Sequence, residues 1–237
     1  MEFTRVVAMI GELFDPKADV FIDEKMKPHW SQAGAIVFAT FRTSDSIPIE
    51  VLRRWDREKQ DWILRAVARL FQEDRNLMGL NLQSQHWSKN LVLLPDREKQ
   101  QFNEFFNHQY EAKLDECLGA CLLKTPQIAR VVADSLMCFD RDRYCMGDFV
   151  VMPNHVHLLV SFATPEAMLA QFASWLRFTA RRINEITNGK GHFWQQEPFD
   201  HLVRSVDQYE YLRRYIEDNP MKAGLRLGEF YYRRYTA

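Results

Sequence analysis

Two histidines stand one residue apart in FVVMPNHVHLLV, residues 149–160, a stretch that otherwise reads as a buried β-strand. Because strand side chains alternate between two faces, His155 and His157 share one face and Val156 lies on the other. Their Cα atoms are then about 7 Å apart, a spacing from which two imidazoles can reach one cation. Buried imidazole nitrogens without partners cost roughly a few kcal/mol. The pair is therefore either a metal-binding pair or two residues of a half-exposed strand.

A second group with chemical potential lies in the C-terminal stretch YEYLRRYIEDNPMKAGL. Tyr215 and Asn219 are four residues apart, so a helix presents them on one face, with Tyr211 one turn earlier. An amide oxygen is a hard ligand that suits Mg²⁺ or Mn²⁺, whereas structural zinc sites favour Cys and His. The alternative is an aromatic packing stripe, with Asn219 simply closing a helix before a proline.

The elements that must position these residues follow from periodicity and from capping residues. Helices are predicted over 48–72, after Asp96 as N-cap, over 125–140, over 164–187, and from 206 to an end at Asn219-Pro220. Strands are predicted over 35–43, 143–152, 155–162 and around 200–205. This order predicts an α+β fold, a ferredoxin-like antiparallel sheet with helices on one face and the other face free for a ligand. The predicted organisation is a lead over 1–32 and one domain over 33–237, with a helical insertion at about 73–140.

Composition excludes several classes of protein. The 237 residues carry a net charge of −1, which argues against a general coat for polyanions. From residue 172 onward there are eleven Lys or Arg against eight Asp or Glu, so the C-terminal third is mildly basic. No apolar run approaches the roughly 18 residues that a membrane span needs, and the first twenty residues lack the pattern of a secretory signal. Four cysteines without a CxxC spacing predict reduced thiols and a cytoplasmic location.

The two motifs and their order resemble a known family. VVMPNHVHLLV, followed some sixty residues later by RYIEDNPMKAGL, resembles the single-tyrosine HUH transposases of the IS200-like and REP-associated kinds. The name HUH describes a His-hydrophobic-His pair, here His155-Val156-His157. FWQQEPFDHLVRS and AIVFATFRTSDSIP are similar to further segments of the family. The resemblance covers about residues 29–227 and is weakest over 73–120.

The resemblance implies an enzyme that cleaves and rejoins single-stranded DNA through a 5′-phosphotyrosine intermediate. It gives Tyr215 the place of the nucleophile, and His155, His157 and Asn219 the places of ligands to Mg²⁺ or Mn²⁺. The implied substrate is DNA with a hairpin and a single-stranded foot, such as a repeated extragenic palindrome. The family includes monomers and homodimers, and the sequence does not choose between them. Tyr211 shares the face of Tyr215 and is the alternative nucleophile.

Clustered basic residues in the C-terminal third are candidates for contacts with DNA phosphates. A tryptophan could stack on an unpaired base, and core packing is its alternative role. The candidates are Arg177, Arg181, Arg182, Trp194, Arg204, Arg214 and Lys222.

Two other functions compete with strand transfer. One is a domesticated DNA-hairpin-binding protein that has lost turnover. The other is an ordinary metallohydrolase that uses the histidine pair, which would leave Tyr215 without a chemical task.

Overall fold

A computed structural model describes residues 9–24, 28–73, 86–195 and 198–236, without the side chains of 22–24, 28–30 and 71–73. The chain divides into two compact units, Met1–Ser46 with Cys117–Ala237, and Ile47–Glu116. No helix within the described ranges is long and apolar enough to cross a bilayer. All four cysteines are free thiols.

The first unit contains a five-stranded antiparallel sheet. Its strands lie in the spatial order β6-β3-β5-β4-β7, with bounds β3 Ile36–Arg42, β4 Tyr144–Val151, β5 His155–Phe162, β6 Phe199–Leu202 and β7 Tyr231–Arg233. A separate antiparallel pair is formed by β1 Phe21–Glu24 and β2 Pro28–Ser31. The predicted α+β class and antiparallel sheet are confirmed, and the histidine strand β5 is the central strand.

Long helices of the first unit lie on both faces of this sheet. These helices are α4 Pro126–Met137, α5 Pro165–Thr187 and α6 Val206–Lys222. The second unit contains α1 Ile49–Glu73, α2 Trp87–Leu91 and α3 Asp96–Asp115. Helix α5 begins as predicted at Thr164, whose hydroxyl accepts a hydrogen bond from the Ala167 amide. This cap satisfies one of the helix's unpaired N-terminal amides.

The alternation predicted for β5 is observed, but the face with the histidines is not open. Val156, Leu158 and Val160 pack in one core with α4 and α5. On the opposite face α6 covers the sheet, and its apolar residues form a second core with Leu159. His155 and His157 are therefore fully buried. The expectation of a free second face was wrong because α6 has its own apolar stripe, which must also be buried.

The last helix also ends later than predicted. The sequence places its end at Asn219-Pro220, whereas α6 continues to Lys222 with Pro220 inside it. The Ala223 amide still donates to the Asn219 carbonyl oxygen. A proline so close to a helix end removes one hydrogen bond but leaves few later turns to disrupt.

The second unit is helical, with its own apolar core. Ile63 and Val67 of α1 pack with Phe102 and Phe106 of α3 and with Leu94. Helix α3 begins at Asp96 itself and has Pro95 as its N-cap, so Asp96 is the first helical residue rather than the cap. The unit spans 47–116, so α4 belongs to the first unit with the sheet. The insertion predicted from the sequence spans about 73–140, a range that includes residues outside the described ones. The assignment of one domain over 33–237 stays a prediction.

Candidate functional site

The site is built on β5, where the rings of His155 and His157 lie side by side. Their ring centroids are 4.6 Å apart. The Nδ1 atom of His155 lies 2.7 Å from the Asn154 side-chain oxygen, which can only accept, so Nδ1 carries the proton. The lone pair of His155 is then on Nε2, and this atom makes no hydrogen bond with any described residue. A buried ring is thus oriented with an unsatisfied acceptor pointing into the site.

His157 is oriented in the same way by a neighbouring strand. Its Nδ1 atom lies 2.8 Å from the Thr40 hydroxyl on β3, where the two residues are register partners. Its Nε2 atom lies 3.5 Å from the hydroxyl oxygen of Tyr215 on α6. Both imidazoles are therefore held at Nδ1 and present Nε2 toward the helix, which is the arrangement that outer partners give to metal-binding histidines.

Tyr215 reaches the histidines from α6. Its ring makes an edge contact with His157 at a centroid distance of 5.2 Å and packs against Phe38 at 6.1 Å. The ring of Tyr211, 60% exposed, is stacked on Tyr215 at 6.4 Å. The ammonium of Lys222 lies 5.2 Å from the centre of the Tyr215 ring. Tyr215 is the tyrosine whose hydroxyl reaches His157, while the hydroxyl of Tyr209 is buried elsewhere in the α6 core.

Asn219 lies one turn after Tyr215 and is fully buried. Neither its side-chain oxygen nor its nitrogen has a hydrogen bond of acceptable geometry among the described residues. Its amide lies close enough to His155 to oppose part of the burial effect on the pKa of that ring. A buried amide whose two polar atoms lack hydrogen bonds of acceptable geometry is costly in an apolar core, and Asn219 is therefore a candidate ligand.

Two imidazoles and one amide fit a divalent cation with octahedral preference. Within the described residues, no three His, Cys, Asp or Glu side chains group together as a metal site. The candidate set is instead His155 Nε2, His157 Nε2 and the Asn219 oxygen. With only three protein ligands, such a site leaves positions for water or for phosphate oxygens, as Mg²⁺ sites do.

Burial controls the ionisation of the site histidines. It lowers the pKa of His155 from 6.5 to about 3 and that of His157 well below its usual range, with the neighbouring His155 lowering it further. His201 on β6 packs against Phe38 at 5.2 Å, and burial followed by the charge of Arg204 lowers its pKa to about 4. The histidines are thus neutral at pH 7, the form that binds a metal ion.

These pKa shifts predict a loss of stability in weak acid. Between pH 6.5 and about 4 the unfolded chain binds protons at these histidines while the folded chain does not. The free energy of unfolding of the metal-free protein should therefore fall as the pH falls, by roughly 1 kcal/mol per pH unit for each histidine. Urea unfolding in EDTA at pH 7, 6 and 5 measures the slope. His201→Asn should reduce this slope by the contribution of one histidine. A free energy of unfolding that does not change with pH would contradict the presence of neutral buried histidines.

The predicted DNA-contacting residues fall into three groups. Arg177 and Arg181 are exposed on α5, and Arg182 beside them is paired with Glu185 at 2.5 Å. Trp194 is only 5% exposed, and its indole donates to the Thr179 hydroxyl at 2.8 Å, so its ring is part of the core and is not presented to a base. The remaining three are exposed around α6, namely Arg204, Arg214 and Lys222.

Arg213, next to Arg214, has a different place. A bulge interrupts β4 between Met146 and Phe149, and Asp148 in this bulge is only 1% exposed. The guanidinium of Arg213 donates to that carboxylate at 2.6 Å, a contact that raises the pKa of Arg213. The Tyr235 amide donates to the same carboxylate at 3.3 Å. This ion pair fixes α6 to the sheet and so fixes the height of Tyr215 above the histidines.

We expect Arg213→Met to lower the free energy of unfolding by about 3 kcal/mol, because it leaves the buried Asp148 carboxylate without its cation. Urea unfolding at pH 7 measures the effect. The matched control is Arg214→Met, an exposed neighbour for which we expect a change within about 0.5 kcal/mol. Equal effects of the two substitutions would show that the ion pair does not hold the helix.

Sequence reasoning missed the residues that orient the histidines. Asn154 could have been found, since it directly precedes His155 and its short amide can reach the neighbouring ring. Thr40 carries no sequence signal, because it meets His157 only through the pairing of β3 with β5. Arg42, the register partner of His155, and His201, the partner of Phe38, join the same face in the same way.

Comparison with known proteins gives one family match. Residues 137–219, about a third of the chain, match the family model described as "Transposase IS200 like". This range contains both histidines, Tyr215 and Asn219. No curated protein matches the chain.

One solved structure is also similar, that of a REP-associated tyrosine transposase bound to a REP hairpin. It shares 23% sequence identity, with a TM-score of 0.34, and the match covers 41% of this chain and 58% of that one. This chain therefore matches somewhat more than half of that protein's length. The segment over residues 137–219, in which the histidine pair meets the α6 tyrosine, is thus similar to the IS200-like transposase family.

Proposed function

We propose that this chain cleaves and rejoins single-stranded DNA beside a hairpin, with Tyr215 as the nucleophile. The observation that carries the proposal is the 3.5 Å between the Tyr215 hydroxyl oxygen and His157 Nε2. Two segments some sixty residues apart in sequence converge on that contact. A core tyrosine needs no such neighbour, and a metallohydrolase would have no use for the phenol.

The reaction is an exchange of esters. The Tyr215 oxygen attacks the phosphorus of a phosphodiester, the bond to the 3′ oxygen breaks, and that oxygen leaves as a 3′ hydroxyl. The product is a phosphotyrosine at the 5′ end of the downstream strand. Because the number of ester bonds is unchanged, the reverse attack by a 3′ hydroxyl rejoins DNA without ATP. Burial of the site around Tyr215 disfavours water as the competing nucleophile.

The residues around Tyr215 have distinct tasks in this reaction. His155, His157 and Asn219 would hold a divalent cation, Mg²⁺ or Mn²⁺, which supplies charge stabilisation at a non-bridging phosphate oxygen. Thr40 and Asn154 hold the two rings in the orientation this requires. Lys222 places a positive charge beside the ring of the attacking phenol.

The substrate we propose is a DNA hairpin with a single-stranded foot. The similar solved structure is of a protein bound to a REP hairpin, and the family assigned to residues 137–219 is one of transposases. Monomer and homodimer are both retained as candidate active forms, as expected from the sequence. The cytoplasmic location also stays a prediction.

A covalent-adduct assay tests the proposal. The probe is a hairpin oligonucleotide with a single-stranded foot of random sequence, incubated with Mg²⁺ or Mn²⁺ and then denatured. A label at the 3′ end should migrate with the protein. A label at the 5′ end should appear on a free fragment whose 3′ hydroxyl a polymerase can extend. EDTA should abolish both products.

The other outcomes identify the competing functions. Cleavage without an adduct would show a metallohydrolase. Tight hairpin binding with neither cleavage nor adduct would show a domesticated binding protein. An adduct that carries the 5′ label would reverse the proposed polarity of the reaction.

A further inference from the structure

A groove of about 920 Å³ lies on the first unit along the C-terminal half of α5. One wall is α5 from Ala173 to its end with the C-cap Asn188, and the other is the loop that follows, up to Gln195. This groove is separate from the histidine site, because α5 packs on the face of the sheet opposite to α6.

Hydrogen bonds fix the loop wall of the groove. The Asn184 side chain donates to the Gly191 carbonyl at 3.1 Å, and the Ser44 hydroxyl donates to the His192 carbonyl at 2.8 Å. Gly191 has a φ of +90°, a conformation that other residues rarely adopt, and nothing lies within 4 Å of where its Cβ would be. The loop is thus held in place, and its backbone is open to a ligand at Gly191.

The groove is lined by cations without acidic partners. Arg177 and Arg181 are one helical turn apart, so both guanidinium groups lie along one wall. Lys190 adds a third positive charge from the loop. Among the residues that the structure describes, none of the three has an ion pair, whereas Glu185 on the same wall is paired with Arg182. Three unneutralised cations in one groove favour an anion with several charges.

The groove offers no exposed Phe, Tyr or Trp ring for stacking on bases. Phe193 and Trp194 are only 8% and 5% exposed and form its floor, and the exposed ring in its lining is the imidazole of His192. Proteins that bind unpaired nucleic acid combine cations with accessible aromatic rings, on which the bases stack. Three cations beside a single exposed imidazole favour a sugar–phosphate backbone whose bases are turned away, as they are in a duplex.

The groove also adjoins the strand end that carries the metal-site histidines. The Gln195 amide donates to the Arg42 carbonyl, and Arg42 is the register partner of His155. The next residue of that strand end, Thr43, donates its amide to the Asn154 carbonyl. DNA held in the groove would therefore lie near the end of β5 that carries His155.

We infer that this groove binds one sugar–phosphate backbone of the paired stem of a DNA hairpin. This inference rests on the proposed function for its substrate class, and it adds where the stem is held and by which groups. The groove recognises charge and duplex geometry and not sequence. It gives the chain a stem-binding site distinct from the site that cuts the foot.

The test is the salt dependence of DNA binding, measured by fluorescence anisotropy with Tyr215→Phe protein, which is not expected to cleave. The two probes are the random-foot hairpin and an unpaired oligonucleotide of equal length. Combining Arg177→Gln, Arg181→Gln and Lys190→Gln should weaken hairpin binding on the order of tenfold or more and lower the slope of log K against log salt by about 2 to 3. Binding of the unpaired oligonucleotide should change little.

The matched control removes the same charge elsewhere on the first unit. Lys17→Gln, Arg130→Gln and Arg143→Gln are exposed positions outside the groove, and together they should lower the slope much less. Equal losses with both triple variants would overturn the inference, because net charge alone would explain them. An unchanged slope in the groove variant, or equal losses on hairpin and unpaired DNA, would also overturn it.

The adduct formed by the parent protein separates this result from the proposed function. A parent adduct together with unaffected binding in the groove variant would reject only the groove. If the groove variant bound the hairpin more weakly but the parent protein formed no adduct, the stem-binding site would be supported and strand transfer would be rejected.

Discussion

Tyr215→Phe should abolish the covalent adduct with hairpin DNA, by at least about 10³-fold, because the substitution removes the attacking oxygen and leaves the ring. The ring contacts with Phe38 and His157 do not require the hydroxyl, so the fold and DNA binding should persist. The measurement is the yield of denaturation-resistant adduct with Mn²⁺, alongside the hairpin affinity of the same protein.

Tyr211→Phe is the matched control for this experiment. Tyr211 is on the same helix and is stacked on Tyr215. Its substitution removes a phenol oxygen too, but at an exposed position. It should retain the adduct at nearly the parent level. If the adduct persisted in Tyr215→Phe and disappeared in Tyr211→Phe, the nucleophile would be Tyr211, and the contact between Tyr215 and His157 would be structural.

Asn219→Leu should separate stability from function. In the metal-free protein neither polar atom of this buried amide has a hydrogen bond of acceptable geometry among the described residues, and the amide lies close to the His155 ring. Replacing the amide with an apolar side chain of similar size should raise the free energy of unfolding by about 1 kcal/mol. The same variant should lose most of its thermal stabilisation by Mn²⁺, which for the parent reaches about 3 kcal/mol when Mn²⁺ is a hundred times its dissociation constant.

The contrasting variant is Asn154→Leu, which replaces a buried asparagine that directly precedes His155. Its oxygen accepts from His155 and its nitrogen donates to the Leu118 carbonyl at 2.9 Å. Its replacement leaves two buried groups unpaired and should lower the free energy of unfolding by about 1 to 3 kcal/mol. Destabilisation by Asn219→Leu of the same size, with the Mn²⁺ effect retained, would remove Asn219 from the ligand set.

Much of the frame was readable from the sequence because it depends on local periodicity. The alternation in HVHLLV predicted which residues of β5 face the α4 and α5 core, and Thr164 is the N-cap at the predicted start of α5. The four-residue spacing of Tyr215 and Asn219 placed them on one helical face. These properties need only the geometry of one strand or one helix, so tertiary contacts had little opportunity to change them.

The failures came from contacts between elements. Trp194 was a candidate for stacking on a base. The sequence around it does not distinguish a tryptophan in an exposed loop from one that is buried in the core. The open face expected for the histidines is closed by α6, since the helix that brings Tyr215 also brings Leu212 and Ile216. The end of α6 was predicted at Asn219-Pro220 because proline usually ends a helix. The helix continues past Pro220 because the hydrogen bonds of its last turn depend on the whole helix.

By itself, the sequence determined the chemical inventory of this protein: two imidazoles on one strand face, and a phenol and an amide on one helix face. Only the tertiary structure decided that the phenol oxygen lies 3.5 Å from an imidazole nitrogen, and that Thr40 and Asn154 hold the rings from behind. The reason is physical. Spacing along a chain fixes neighbours within one element, whereas burial of two apolar surfaces against each other fixes which elements meet.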